Sequence, residues 1–396
     1  MIGWGGMKSK LLVISYWLLV IGYSIFSYAL LDLNLTLTSF NPYLWLQKKM
    51  RWWGYSYRPQ ATMVFIILSL LLFAIYFFLA RQISQKKALF LAVTSGLILV
   101  LAYPAFSHDI FNYIFNAKMV VLWGADPHRQ TAIEFSDPML DFMRNVHTPA
   151  PYFYGWTIIS LLPFLMGLNR IFLELITFKF FSLAFFLLNF FFLSKIYSIL
   201  KFKQAELRLT LFLLNPLILF EAVGMGHNDL SMMTLALASF YFLVKFKKRQ
   251  KLRFILFSVF CFLLSVSIKY ATIVLLPLLF LWYSKPKFDL GFWGAVLLLL
   301  LPFSRPLSQL HSWYFLWPLT WVFLSRDKRR IELFLGGSFF AFLRYAPYLW
   351  YGYWDPPVPV LRLIIYLLAP LAFLLCRWKR KSSTPGLRPP VRQPRG

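Results

Sequence analysis

A polytopic, all-α integral-membrane fold is what the sequence predicts, and three observations predict it. The 396-residue chain is 60% hydrophobic and 20% aromatic, with a mean hydropathy of +0.64, whereas soluble domains are roughly 45–50% apolar. Apolar stretches recur along the whole length, several long enough to cross a hydrocarbon core of ~30 Å as helices. The basic residues sit in short clusters between those stretches. No polar stretch is long enough for a separate soluble domain, so residues 1–378 read as one transmembrane unit and 379–396 as a disordered basic tail.

The net charge of +27 invites a nucleic-acid reading, but the lysines and arginines do not line one face. With twelve spans and the N-terminus inside, 28 of the 41 basic residues fall on inner segments, as the positive-inside rule requires. The charge is topology, and it predicts a multi-pass plasma-membrane protein with both termini cytoplasmic and no nucleic-acid partner.

The elements follow in order. About twelve transmembrane helices (11–13) are expected, over 11–31, 61–80, 88–106, 171–198, 208–221, 229–244, 252–268, 271–283, 289–303, 314–325, 331–346 and 361–377. The first is longer than a signal-peptide core and lacks a small-residue cleavage site, so it is read as a retained span. Several are short, which is tolerated where protein or a wet cavity surrounds the irregular backbone. The apolar segment 151–167 would reverse the charge count if it crossed. It is placed as an outer juxtamembrane or re-entrant helix bent at Pro163, giving one long outer region, 107–170. Loops of that length are usually functional or disordered, and this one is too apolar for disorder. Cys261 and Cys376 lie in or beside spans and read as small core residues, not as a disulfide or metal framework. No Walker-type or GxGxxG loop is present, which weighs against a nucleotide-driven machine.

The polar residues that interrupt this pattern are the candidates for chemistry. In SHDIFNYIFNAK, Asp109, Asn112 and Asn116 fall within a stripe of about 60 degrees on a helix of 3.6 residues per turn, so they are expected to face a cavity; helix capping by Ser107 or Asp109 is the plainer reading. GMGHNDLSMM brings His227, Asn228 and Asp229 together after Glu221, and ionisable groups at membrane depth usually line a substrate path. A polar turn with Asn228 or Asp229 as N-cap is the alternative, and it leaves Glu221 and His227 unexplained. One histidine among scattered carboxylates lacks the spacing of a zinc site, so no metal ligands are assigned. Lys269, in SIKYATIVLLP, either snorkels to lipid head groups or meets a phosphate that Arg305 shares. His311, Trp313 and Tyr314 stand at the same outer boundary. An aromatic belt accounts for the tryptophan and tyrosine, and stacking of a sugar ring on Trp313 or Tyr314 is the sharper possibility.

Taken together, SHDIFNY, GADPH (with Asp126 and His128), YGW (Tyr154 to Trp156), NPLILFEAVGMGHND, IKYATIVLLP and HSWYFLWPL resemble the motif order of the GT-C superfamily of membrane glycosyltransferases, in its polyprenyl-phosphate mannosyltransferase-like branch. The likeness runs from Ser107 to about Pro318. Asp126 and His128 stand where the family pattern has Asn and Tyr, and YGW lacks an intervening proline. The resemblance implies a GT-C-like fold and an inverting sugar transfer, with mannose as the sugar, from a polyprenyl-phosphate donor to the hydroxyl of a glycan or glycolipid acceptor. It implies Asp109 as general base, with Lys269 and Arg305 on the lipid phosphate and Glu221, His227, Asn228 and Asp229 orienting sugar hydroxyls. Asn112, Asn116, Asp126, His128, His311, Trp313 and Tyr314 complete the expected substrate contacts. No cofactor is implied beyond a divalent metal in some members. A transporter or flippase of a lipid-linked glycan would show inverted repeats with broken helices, which the sequence lacks. A non-catalytic assembly protein would have no need of an ionised Asp109.

Overall fold

The computed structural model describes residues 4–306 and 309–369, and every regular element among them is helical. Helix α1 (Trp4–Ser27) runs into a 3-10 turn, Tyr28–Leu30, and is followed by α2 (Asn41–Ser56), α3 (Arg58–Leu79) and α4 (Gln85–Val100). Then come α5 (Asp109–Trp123), α6 (Tyr154–Gly167) and α7 (Ile171–Leu200). Helices α8 (Ala205–Leu213) and α9 (Pro216–Ile218) follow, the latter passing into a π-helical stretch, Leu219–Gly224. The second half holds α10 (Asp229–Arg249), α11 (Leu252–Ile268), α12 (Leu276–Ser284), α13 (Leu290–Leu300), α14 (Leu316–Val322), α15 (Lys328–Leu343), α16 (Ala346–Tyr351) and α17 (Val358–Ala369). The basic tail, Cys376 and the second half of the expected last span lie outside the described residues.

Four helices are long and apolar enough to cross a bilayer: Lys10–Leu30, Arg58–Leu79, Ile171–Leu200 and Asp229–Arg249. A fifth is possible if α8 and the segment Pro216–Gly224, bent by 46° at their junction, count as one span. Length alone therefore supports four or five of the about twelve expected spans among the described residues. The shortfall has a local cause. The apolar segments from residue 270 to 325 are each divided between a 3-10 stretch and a short α-helix, as in Tyr270–Leu275 before α12 and Leu301–Ser304 after α13. Prolines mark these junctions, Pro277 in the first turn of α12 and Pro302 in the 3-10 stretch after α13. Proline lacks the amide proton that an uninterrupted helix needs.

The core is aromatic. The Tyr23 ring of α1 lies 4.1 Å from that of Phe220 in the π-helical stretch, tilted by 46°, and Phe342 of α15 lies 5.4 Å from both Phe65 of α3 and Phe220. Many large apolar side chains remain exposed around the periphery, among them Ile158, Leu256 and Phe280. Soluble surfaces rarely carry such extended apolar patches, and with the apolar helices they mark a membrane protein. Helix α2 was not expected from the apolar pattern, because Lys48, Lys49 and Arg51 interrupt it. Its Gly54 lies so close to the Ala29 carbonyl that a Cβ would come within 1.9 Å of the oxygen. The helix is therefore seated directly on the turn that ends α1.

Candidate active site

Helix α5 begins directly after the loop that ends α4. Over its first twelve residues only Asp109, Asn112, Asn116 and Val120 escape burial, spacings of three and four that place all of them on one face. Gly124, at φ 60°, terminates the helix in the left-handed conformation. Asp109 is the first helical residue and follows the N-cap, His108, which makes no side-chain capping bond. The Ser107 hydroxyl accepts from the Asp109 amide at 3.2 Å, so the Asp109 carboxylate is left to face outward. It lines a cavity of about 450 Å³ together with Asn112, Asn116, Lys269, Arg305, His311, Trp313 and Tyr314. Trp317, from the same aromatic motif at the outer boundary, lines it too, whereas sequence reasoning missed other lining residues, including Gln130, Asn145, Tyr152 and Gln309. They belong to loops without periodicity; Gln130, Tyr152 and Gln309 each stand two residues from a motif residue, His128, Tyr154 and His311, and carry no pattern of their own.

Behind the cavity wall lies a row of buried ionisable groups. The π-helical stretch widens the turn that carries Glu221, and Gly226, at φ 73°, reverses the chain so that the His227 amide donates to the Glu221 carbonyl at 3.2 Å. π-Helical turns are frequent at functional sites. His227 Nδ1 stands 3.6 Å from Asp109 Oδ2 and its Nε2 3.5 Å from Glu221 Oε2. These separations are just beyond hydrogen-bond length, of the kind that tightens when a ligand arrives. Glu221, His227 and Asn228 are all buried, and each carries side-chain polar atoms without a hydrogen-bond partner. Asn228 occupies the N-cap of α10 without a side-chain capping bond, so capping does not account for it. Such atoms are rare in native interiors, and here they lie together directly behind Asp109.

Burial pushes the Asp109 carboxyl up, but the His227 imidazole 3.6 Å away and the Lys269 ammonium outweigh it and hold the group down at about 2. Asp109 is therefore an anion at any physiological pH. His311 is pushed down to about 3 by burial and then by the Arg362 guanidinium, so its imidazole is neutral. Its ring stacks on Trp313 at 4.1 Å, and Trp313 stacks on His227 at 4.2 Å. Trp313 is thus occupied by two imidazoles and only 7% exposed, which leaves the half-buried Tyr314 as the ring more open to a sugar.

Lys269 is not free. Its ammonium donates to both oxygens of Asp229, at 3.0 and 2.9 Å, and the Trp317 indole donates to the same carboxylate at 2.6 Å. Asp229 is fully buried with its oxygens taken, an arrangement that locks the start of α10 to the end of α11. Arg305, by contrast, is exposed, and its partner is the Tyr270 hydroxyl at 3.1 Å. It is the cavity cation that no carboxylate neutralises.

Asp126 and His128 are not among the cavity-lining residues. Asp126 accepts from the Tyr154 hydroxyl at 2.9 Å, and His128 bonds Thr157 at 2.9 Å and packs on Tyr154. They clasp the loop after α5 to α6. The YGW element has a comparable structural part. A Cβ on Gly155 would come within 2.0 Å of Ser267 Oγ, and the Phe153 amide donates to the Ile268 carbonyl at 3.1 Å. Glycine lets α6 sit against the residues that precede Lys269. Gly155→Ala is expected to cost about 1–3 kcal/mol by overpacking and to lower activity, read by thermal unfolding and product yield.

Among the described residues, no group of three or more His, Cys, Asp or Glu side chains is arranged to hold a metal ion.

No curated protein and no solved structure matches the chain. A family model described as MptA_B family, alpha-(1->6)-mannopyranosyltransferase, N-terminal domain, matches residues 25–285. That is about two thirds of the chain. The match takes in Asp109, Glu221, His227 and Lys269, while the wall from Arg305 to Trp317 lies beyond it. With an anionic carboxylate on a polar cavity and this match over about two thirds of its length, the chain belongs to the MptA_B mannosyltransferase family and is a hexosyltransferase of the membrane.

Proposed function

We propose that the protein transfers a mannosyl residue from a polyprenyl-phosphate donor to a hydroxyl of a glycan or glycolipid acceptor, with inversion, and that Asp109 is the catalytic carboxylate. The observation that carries this reading is the Asp109 carboxylate on the cavity wall with His227 and Glu221 aligned behind it. The acceptor oxygen attacks the anomeric carbon as the bond from that carbon to the phosphate oxygen breaks. The phosphate leaves on the lipid and the acceptor proton passes to Asp109. A carboxylate held near 2 is a weak base for a resting alcohol. It suffices for an alcohol already bonding to an oxocarbenium-like carbon, whose proton has become strongly acidic.

Inversion that yields an alpha linkage, as the family description specifies, requires a β-linked donor. Arg305 would meet the leaving phosphate. Asn112 and Asn116 would orient sugar hydroxyls. An apolar groove of about 480 Å³, lined by Leu243, Phe262, Val266, Ile273 and Phe280 among others, supports a lipid donor. Ile273 stands two residues from Ala271, which lines the polar cavity. Orientation follows from the basic clusters: both termini cytoplasmic and the cavity on the outer face, with about twelve spans or partial spans forming the unit 1–378.

The test is incubation of the purified protein in lipid nanodiscs with labelled polyprenyl-phosphate mannose and a mannoside acceptor. Mass spectrometry is expected to show an acceptor heavier by one hexose with an alpha linkage. Transfer from a sugar nucleotide, with none from the lipid donor, would overturn the donor assignment.

A further inference from the structure

Two arginines outside this machinery are buried without a carboxylate. Arg344, at the end of α15, is 3% exposed, and Arg362, in α17, is 1% exposed. Both donate to one acceptor, the Leu310 carbonyl, at 2.7 Å each, and Arg344 Nε also donates to the Arg362 carbonyl at 3.1 Å. Arg362 Nε has no partner. The guanidinium of Arg344 lies 5.0 Å from the Tyr366 ring and that of Arg362 4.8 Å from the Trp354 ring.

All 14 aspartates and glutamates of the chain are among the described residues, and none forms an ion pair with either arginine. One neutral donor would satisfy the Leu310 carbonyl. Two buried cations carry a desolvation cost that a carbonyl and two aromatic faces offset only in part. Buried charge of one sign leaves a positive field that an anion within reach would stabilise.

Neither arginine lines the polar cavity, but Arg344 lines a void that adjoins it. This water-sized void of about 10 Å³, lined by Leu310, His311, Tyr314 and Arg344 among others, shares His311 and Tyr314 with the cavity. His311 follows the clamped Leu310 directly, and its neutral ring adds no charge between the arginines and the cavity. Across His311 and Tyr314, out of bulk water, two fixed charges act on the cavity with less screening than in solvent.

We infer that Arg344 and Arg362 are a buried cation pair that makes the cavity selective for an anionic ligand, the phosphate of a lipid-phosphate substrate. They act through the field they set on the far side of His311 and Tyr314, without touching the ligand, so they are positioning residues. This rests on the donor reading above.

Binding of labelled polyprenyl phosphate and of neutral polyprenol is measured on Arg344→Gln, Arg362→Gln and the two Lys variants. Each Gln variant is expected to weaken phosphate binding about tenfold, the effect of one unit charge some 10 Å away at an effective dielectric of about 20. Polyprenol binding should be unchanged, and the Lys variants should keep most of the phosphate affinity. Equal losses for both lipids in Gln and Lys variants alike would make the pair a purely structural clamp and overturn the inference, as would Gln variants that bind phosphate normally. Inorganic pyrophosphate, titrated by calorimetry, tests the field apart from the lipid. If the wild type binds pyrophosphate but not the lipid, and Gln weakens that binding, the donor reading fails while the pair stands. No pyrophosphate and no lipid phosphate bound by the wild type removes both.

Discussion

Asp109→Asn is expected to lower sugar transfer by about 10²–10⁴-fold, the usual contribution of a positioned acid–base group, while the protein still folds and still binds its lipid. Asparagine has nearly the same shape, and the Asp109 side chain is about 20% exposed to the cavity, so the amide stays solvated. What is lost is the site that receives the acceptor proton and the anion opposite a developing oxocarbenium carbon. Full turnover by the variant at saturating donor would remove Asp109 from the mechanism.

The same carboxylate makes a second readout available. Its folded pKa, about 2, lies below the ordinary aspartate value of 3.8, so the stability it contributes is present above pH ~4 and is lost as pH falls through about 2. The stability difference between wild type and Asp109→Asn should therefore shrink on acidification across that window. Asp109 itself should give the activity profile no acid limb above about pH 3. An acid limb near pH 6 that disappears in Asp109→Glu would contradict the depressed carboxylate.

Lys269→Met is expected to destabilise the protein by about 3–5 kcal/mol, because it strands a fully buried carboxylate. Asp229 would keep the Trp317 indole and lose both contacts from the ammonium. The pair also joins α10 to the end of α11, so its loss should disorder the cavity floor and weaken donor binding as a secondary effect. Lys269→Met combined with Asp229→Leu should recover most of the stability, since an apolar pair of similar volume avoids the stranded charge. Thermal unfolding of the two variants separates the possibilities. A single variant as stable as wild type, with donor affinity alone reduced, would make Lys269 a phosphate ligand instead.

The sequence by itself determined what depends on neighbours along the chain. A period of 3.6 put Asp109, Asn112 and Asn116 on one face of α5, and that face does meet the cavity. Apolar runs marked the helices, and α11 begins and ends where its run does, Leu252–Ile268. Motif order sufficed to point to a mannosyltransferase family. The expected span count was less secure, because hydropathy measures how apolar a segment is and not where a proline or a 3-10 turn divides it.

Tertiary structure decided which polar groups meet. Asp109 and His227 are 118 positions apart, and no spacing rule places one 3.6 Å from the other. The pairing of Lys269 with Asp229, the stacking of Trp313 on His227 and the convergence of Arg344 and Arg362 on Leu310 are likewise products of packing between segments that no spacing rule brings together. Burial is not written in a residue's type. An arginine in an apolar run reads the same whether it reaches lipid head groups or points inward, and only the surrounding helices settle which, by leaving it water or taking water away.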